Sequence, residues 1–186
     1  MTAHPNRRRN LRFLAGVAAL VGIGAAVAFV LYQKGYRFNE TASLPIGVWR
    51  ITNTGELRAG QVVNFCPPNT PELLDARSRG YLDGGRCPGN LERMFKPLVA
   101  VPGDRVEVTA QGVVVNGRLV PHSAPLAFDG VGRAMPRPEG TLAVPRGQAW
   151  VASDYSPYSF DSRYFGAIAF DSVFGVATPV LLSESP

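Results

Sequence analysis

The chain has 186 residues, 46% of them hydrophobic, with 19 Lys+Arg against 14 Asp+Glu. Arg7, Arg8, Arg9 and Arg12 precede every acidic residue, so most of the formal charge of +5 belongs to the first twelve positions and the remainder is nearly balanced. That distribution argues against a basic nucleic-acid-binding face, and two cysteines with two histidines leave no cluster of metal-ligand spacing.

Residues 1–12 read as a basic cytoplasmic tail. Phe13 to Leu31 then runs without a charged or strongly polar side chain. A helix of that length spans about 28 Å, close to the hydrocarbon core of a bilayer. One transmembrane anchor is therefore expected over 13–32, with Tyr32 at the far interface and Lys34 and Arg37 beyond it. The arginines stay in the cytoplasm, which makes the protein single-pass with its N-terminus inside. A cleaved secretory signal is the competing reading, because Ala26-Val-Ala28 has the small-x-small form of a cleavage site. Against it, the apolar run continues through Phe29, Val30 and Leu31. Both readings put the residues after Lys34 outside the cytoplasm. About 150 residues remain, enough for one compact domain with its own core, assigned here to 38–182.

The domain opens on Thr41-Ala-Ser-Leu-Pro-Ile-Gly-Val-Trp49. Pro45 and Gly47 make a turn, and Gly47 to Thr52 is the strand leaving it. Ser43 sits in that turn, and by itself the stretch suggests no more than a turn residue. Gln61 to Phe65 is a short strand. Thr70 can cap a helix over 72–79, with Pro71 in its first turn and Gly80 past its end. Cys66 and Cys87 flank this helical excursion; in an oxidising compartment they pair and staple it to the sheet, the alternative being two free buried thiols.

Phe95 to Val101 is the next strand, ended by Pro102-Gly103. It carries Lys96, one of only two lysines in the chain, the other being Lys34 beside the membrane. Arginine fills the other basic positions. Arginine cannot release its proton at usable pH, whereas a desolvated lysine can. Met94, Phe95, Pro97, Leu98 and Val99 surround Lys96 with apolar side chains that would lower its pKa. By itself this is suggestive only, and an ordinary surface or edge-strand lysine stands as an equal reading. Arg105 to Thr109 alternates, and residues 112–120 form a hairpin about Asn116-Gly117, suited to a type I′ turn. His122, the only histidine outside the tail, lies in a proline-rich stretch over 121–147, read as an irregular excursion; a Ser-His-Asp triad would have to use it. Gln148 to Ala152 and Ala167 to Val176 are the later strands. Between them, Ser159, Asp161 and Arg163 alternate, so an extended segment would present all three on one face, with the carboxylate and the guanidinium able to pair. Many short strands separated by turn signals give a mainly β barrel or sandwich domain.

Three of these pieces, in this order, resemble the type I signal peptidase family: Ser43-Leu-Pro-Ile-Gly, Lys96-Pro-Leu-Val-Ala-Val-Pro-Gly-Asp104 and Asp161-Ser-Arg-Tyr-Phe-Gly166. Phe65-Cys-Pro-Pro68, Ala76-Arg-Ser-Arg-Gly-Tyr81, Cys87-Pro-Gly89 and Ser159-Phe-Asp-Ser-Arg-Tyr-Phe-Gly166 are similar to its conjugative-transfer, TraF-type branch. The resemblance runs from about residue 38 to about 180 and implies a signal-peptidase-like fold. It also implies a membrane-anchored serine endopeptidase that needs no cofactor and no metal. Ser43 would be the nucleophile, Lys96 the base and Ser159 the group that orients the lysine. The Thr41 hydroxyl and the Ser43 N–H would hold the oxyanion, and Asp161 and Arg163 would support the site. Pro97 stands where the wider family commonly has arginine, and Gln61 where it usually has an acid. For the branch, the implied substrate is a conjugative pilin precursor, cleaved and in some members cyclised. The implied setting is the bacterial inner membrane, with the catalytic domain in the periplasm beside a type IV secretion apparatus and its mating-pair-formation proteins, and no nucleic acid as partner. Two other classes stand beside this one. Self-cleaving repressors share a Ser/Lys dyad but are cytoplasmic and bind DNA; a non-catalytic anchored scaffold of the same apparatus would keep the fold without the chemistry.

The charge pattern generates a topology test. Protease added to spheroplasts should digest the domain beyond Lys34 while residues 1–32 stay with the membrane. Recovery of the intact domain in the soluble periplasm would instead select the cleaved-signal reading.

Overall fold

The computed structural model describes residues 5–53, 55–136, 138 and 140–183. The chain divides into two compact units at Arg37/Phe38. The first is built on a single helix, α1, Pro5–Gln33. Arg9–Gln33 within it is long and apolar enough to cross a membrane. The helix starts at Pro5, inside the stretch read as a tail. Proline suits a first helical turn, and no glycine or further proline interrupts residues 6–12.

The strands are β1 Tyr36–Asn39, β2 Gly47–Thr52, β3 Val62–Phe65, β4 Gly84–Cys87, β5 Met94–Ala100, β6 Arg105–Val108, β7 Val113–Val115, β8 Arg118–Leu119, β9 Thr141–Ala143, β10 Gln148–Val151, β11 Ile168–Ala169 and β12 Val173–Leu182. One helix, α2 Pro71–Ser78, lies in the first excursion and a single turn, α3 Ser162–Phe165, in the C-terminal box. The strands form two sheets. The larger has the order β1-β2-β12-β3-β5-β10-β11, and the smaller β8-β7-β6-β9. The ladders across β2, β12, β3, β5, β10 and β11, and those of the smaller sheet, are antiparallel.

Local chemistry accounts for most of this. Asn116 (φ 49°) and Gly117 (φ 80°) both take positive φ, the requirement of a type I′ hairpin turn between β7 and β8. Gly47 at φ 148° lets β12 approach the start of β2 so closely that a Cβ there would collide with the Leu181 carbonyl. In one core cluster, Val63, Phe65, Leu98 and Val151 of the larger sheet pack against Leu73 of α2 and Leu82 of the excursion. A second cluster gathers Ala100 and Trp150 with Val106 and Val113 of the smaller sheet.

Four local readings change. The strand expected over Ala167–Val176 is split by a 3-10 turn at Phe170–Ser172, after which β12 continues to Leu182. The 121–147 excursion is not wholly irregular, because Thr141–Ala143 pairs with β6. Thr70 is the N-cap of α2 without a capping side-chain hydrogen bond. The box at 159–163 is not one extended segment, because Asp161 accepts the Arg163 N–H and starts the α3 turn.

Cys66 and Cys87 are bonded, with Cα atoms 5.5 Å apart and 21 positions of chain between them. Chain entropy for a loop of that size contributes about 3 kcal/mol. Replacing both cysteines by alanine should lower the unfolding free energy in urea by that order. Labelling of the denatured, unreduced protein should find no free thiol; two reactive thiols would refute the bond.

Candidate active site

β5 delivers the lysine. Pairing with β3 sets Lys96 opposite Val63, and alternation turns its side chain to the same face as Met94 and Leu98, into the core. Only 4% of Lys96 is exposed. Its Nζ donates to Ser159 Oγ at 2.9 Å. Burial, which penalises the charged form, pulls its pKa down to about 8. Asp161 and Glu92 pull upward and Arg163 pushes downward, each by less than burial does.

The acid and the arginine form a fully buried pair. Arg163 Nε and Nη2 donate to Asp161 Oδ1 and Oδ2 at 2.8 and 2.9 Å, the bidentate geometry that makes such pairs strong and directional. The remaining donors reach backbone: Nη1 to His122 O at 3.0 Å and Nη2 to Ser153 O at 3.0 Å. Asp161 Oδ2 also accepts the Ser153 N–H at 3.0 Å. Asp161 and Arg163 thus hold the segment that carries Ser159 and do not reach into the cleft themselves. His122 enters through its carbonyl; no Ser-His-Asp arrangement forms among the described residues.

The serine turn is held from two sides. Asn39, at the end of β1 and 4% exposed, points its Nδ2 at the carbonyls of Thr41, Leu44 and Pro45, at 3.0, 3.2 and 3.2 Å. From the other side Ser153 Oγ donates to the Ser43 carbonyl at 2.7 Å. Ser43 itself is half-buried and lines the same cleft as Lys96. Its hydroxyl makes no hydrogen bond to Lys96 Nζ among the described residues; pairs of this kind often close only around bound substrate. Thr41 is exposed, and its hydroxyl donates to Asn39 Oδ1 at 3.0 Å. The three carbonyl contacts fix Nδ2 toward the turn, which leaves Oδ1 to accept from the Thr41 hydroxyl. The Thr41 hydroxyl must leave that bond before it can donate to an oxyanion.

The cleft has a volume of about 400 Å³. One wall is residues 38–41 with Ser43 and the facing wall is residues 92–96. β5 pairs with β3 along Met94–Pro97 but with β10 only from Leu98 onward, so the other edge of Met94–Lys96 carries no paired strand among the described residues. The end is closed by the two excursions. Tyr81 from the first donates its hydroxyl to Asp129 of the second, and Arg133 Nε binds the same Asp129 oxygen at 2.6 Å. Leu126 is tied to the C-terminal box by its N–H on Tyr164 Oη at 3.0 Å.

Sequence reasoning singled out Thr41, Ser43, Lys96, Ser159, Asp161 and Arg163 and passed over Asn39 and Ser153. Asn39 offered one signal, a polar residue ending a strand just before the serine turn. Ser153 offered none, since its partner lies 110 positions away.

The family model for signal peptidase, peptidase S26, matches residues 8–182. A plasmid transfer protein TraF of Escherichia coli is 40% identical over 169 residues, covering 90% of this chain and 92% of that protein. A conjugal transfer protein TraF of Agrobacterium fabrum is 40% identical over 176 residues, covering 94% and 97%. Signal peptidase I V of Bacillus subtilis matches a shorter stretch, 31% identical over 91 residues, 45% of this chain and 54% of that one. Among solved structures, a signal peptidase I from Enterococcus faecalis is 24% identical and covers 66% of this chain and 97% of that one, with a TM-score of 0.37. By a family match that spans nearly its whole length, this chain belongs to the signal peptidase family, peptidase S26.

Proposed function

We propose that this protein is a membrane-anchored serine endopeptidase working through a Ser43/Lys96 dyad. One observation carries the reading: the only lysine of the domain is buried, bound to a neutral hydroxyl and shifted to about 8, in the cleft that Ser43 lines. Neutral Lys96 takes the Ser43 hydroxyl proton as Oγ attacks the scissile carbonyl carbon. The tetrahedral oxyanion is met by the Ser43 N–H and, after it turns from Asn39, the Thr41 hydroxyl. Collapse breaks the C–N bond, Lys96 passes its proton to the leaving amine, and the acyl group remains on Ser43 until water releases it. Ser159 keeps the lysine aimed. The unpaired edge of Met94–Lys96 accepts the substrate as an added strand.

For substrate we propose a pilin precursor of a conjugation apparatus. Relatives alike over nearly their full length are named as plasmid and conjugal transfer proteins, and the apolar helix at the N-terminus fits an anchor in the inner membrane with the domain in the periplasm.

Lysine is the base only when neutral, so activity should rise with pH through about 8, with roughly a tenth of the plateau at pH 7. Lys96→Arg keeps the charge and removes the base; precursor cleavage should fall at least ~100-fold, while Lys34→Arg stays near wild type. Processing by Lys96→Arg at the normal rate would sink the dyad.

The same burial has a stability consequence. Unfolded lysine keeps its proton to about 10.4. Between about 8 and that value the unfolded chain binds more protons than the folded one, so stability rises with pH there. Below about 8 both states hold the proton and the fold carries the full cost, on the order of 3 kcal/mol. Lys96→Met removes that cost and forfeits the Ser159 hydrogen bond, worth about 1 kcal/mol. The inactive variant should therefore be more stable than wild type at pH 7 by about 1–2 kcal/mol in urea unfolding, a gain that shrinks above about pH 8. A variant less stable than wild type at pH 7 would contradict the assignment.

A further inference from the structure

We propose that Ser153 is a positioning residue for the nucleophile: its hydroxyl locks the Ser43 carbonyl and so sets the direction from which Ser43 Oγ faces Lys96. The inference rests on the dyad reading above and adds a residue that the reading does not use.

The hydrogen-bond inventory leaves the Ser153 hydroxyl one arrangement. Oγ accepts the N–H of Tyr155 at 3.1 Å and of Ser156 at 3.0 Å, which fills its lone pairs. Its single proton then goes to Ser43 O, 2.7 Å away. Ser153 cannot drift, because it is fully buried and its own N–H and C=O are held by Asp161 and Arg163. On the far side of the turn Asn39 holds the next two carbonyls, Leu44 and Pro45. With the Ser43 carbonyl held by Ser153 and the two Asn39 amide protons shared among the carbonyls of Thr41, Leu44 and Pro45, the Ser43 backbone is braced from both sides. The Cα–Cβ bond follows from the backbone, so only the χ1 rotation of Ser43 remains to choose where Oγ points.

The same hydroxyl also orders the lysine side. The turn it closes over residues 153–156 presents the Ser156 carbonyl, which accepts the Ser159 N–H at 3.3 Å, and Ser159 Oγ receives the lysine amine. One buried hydroxyl therefore lies on the path from the nucleophile's backbone to the group that aims its base. The contact with Ser43 is direct; the contact with Lys96 runs through two further residues. Losing Ser153 Oγ should disturb the serine first. Mispositioning a reacting group by about 1 Å costs about 100-fold in rate.

The test uses the full-length protein in detergent and p-nitrophenyl acetate as an acylating probe, following the nitrophenol burst and the mass of the labelled protein. Ser43→Ala first establishes that the label is on Ser43. Ser153→Ala is expected to acylate about 10- to 100-fold more slowly, at an unchanged half-saturating probe concentration and an unchanged pH midpoint, because Ser153 does not line the cleft and is not among the groups whose burial and charge set the lysine's pKa. Ser123→Ala is the matched control: Ser123 is equally buried and bridges Val113 N and Val120 O in the smaller sheet, without touching the turn. It should lose melting temperature like Ser153→Ala yet acylate at the wild-type rate. Ser153→Cys, close in volume with a weaker donor, should fall between wild type and alanine and serves if Ser153→Ala does not fold. Wild-type acylation by the Ser153 variants, equal slowing by Ser123→Ala, or a moved pH midpoint would each overturn the proposal. Undiminished labelling of Ser43→Ala would instead overturn the dyad reading, and the role given to Ser153 with it.

Discussion

The site depends on an ion pair that never meets solvent. Asp161 and Arg163 are both fully buried, and every contact between them and the chemistry is indirect. Such a pair adds little net stability, since desolvation costs about what the attraction returns, but removing one partner strands a charge and costs about 3–5 kcal/mol. Its value is in geometry. A planar fork against a carboxylate admits one relative orientation, and this one also grips the backbone at Ser153 and His122. It thereby converts a loop between two strands into a rigid mount. The two members of the pair pull Lys96 in opposite directions, and burial remains the dominant influence on the amine.

Features encoded by near neighbours were legible in the chain. The Asn116-Gly117 hairpin and the strand carrying Lys96 follow from turn chemistry and apolar alternation, and the structure shifts that strand by a single residue. The lone lysine was conspicuous because arginine filled the other basic positions. Features fixed by distant partners were not legible. β1, Tyr-Arg-Phe-Asn, alternates over only four residues beside the long apolar helix, too few to stand out, and it is defined by pairing on the sheet edge. The α3 turn is four residues long and is held by one capping carboxylate, too short to impose a period. Asn39 and Ser153 take their meaning from carbonyls that only the folded chain brings to them, and an uncharged amide or hydroxyl in a sequence does not announce which carbonyl it will meet.

Thr41 illustrates the same limit from the other side. The family resemblance casts it as an oxyanion donor, yet in the resting arrangement its proton is given to Asn39. The hydroxyl is stored rather than displayed. Turning it outward costs one exposed hydrogen bond, worth about 1 kcal/mol, small beside the several kcal/mol that an oxyanion contact returns in a water-poor site.

The knot of Tyr81, Asp129 and Arg133 has a consequence for how this enzyme class diversifies. The proposed reactive groups stand on the serine turn and on β5, with Ser159 in the C-terminal box, whereas the end wall of the cleft is made by two surface excursions that share one carboxylate. Substitutions in those excursions can reshape the wall while the serine turn keeps its own supports, so selectivity can drift among lineages without a matching drift in chemistry. The drift is constrained in one respect. Asp129 serves partners from both excursions, so a change there strands the Tyr81 hydroxyl and the Arg133 guanidinium together, whereas a change at either partner leaves the other still bonded. Position 129 should therefore vary least of the three, while the residues around it vary freely.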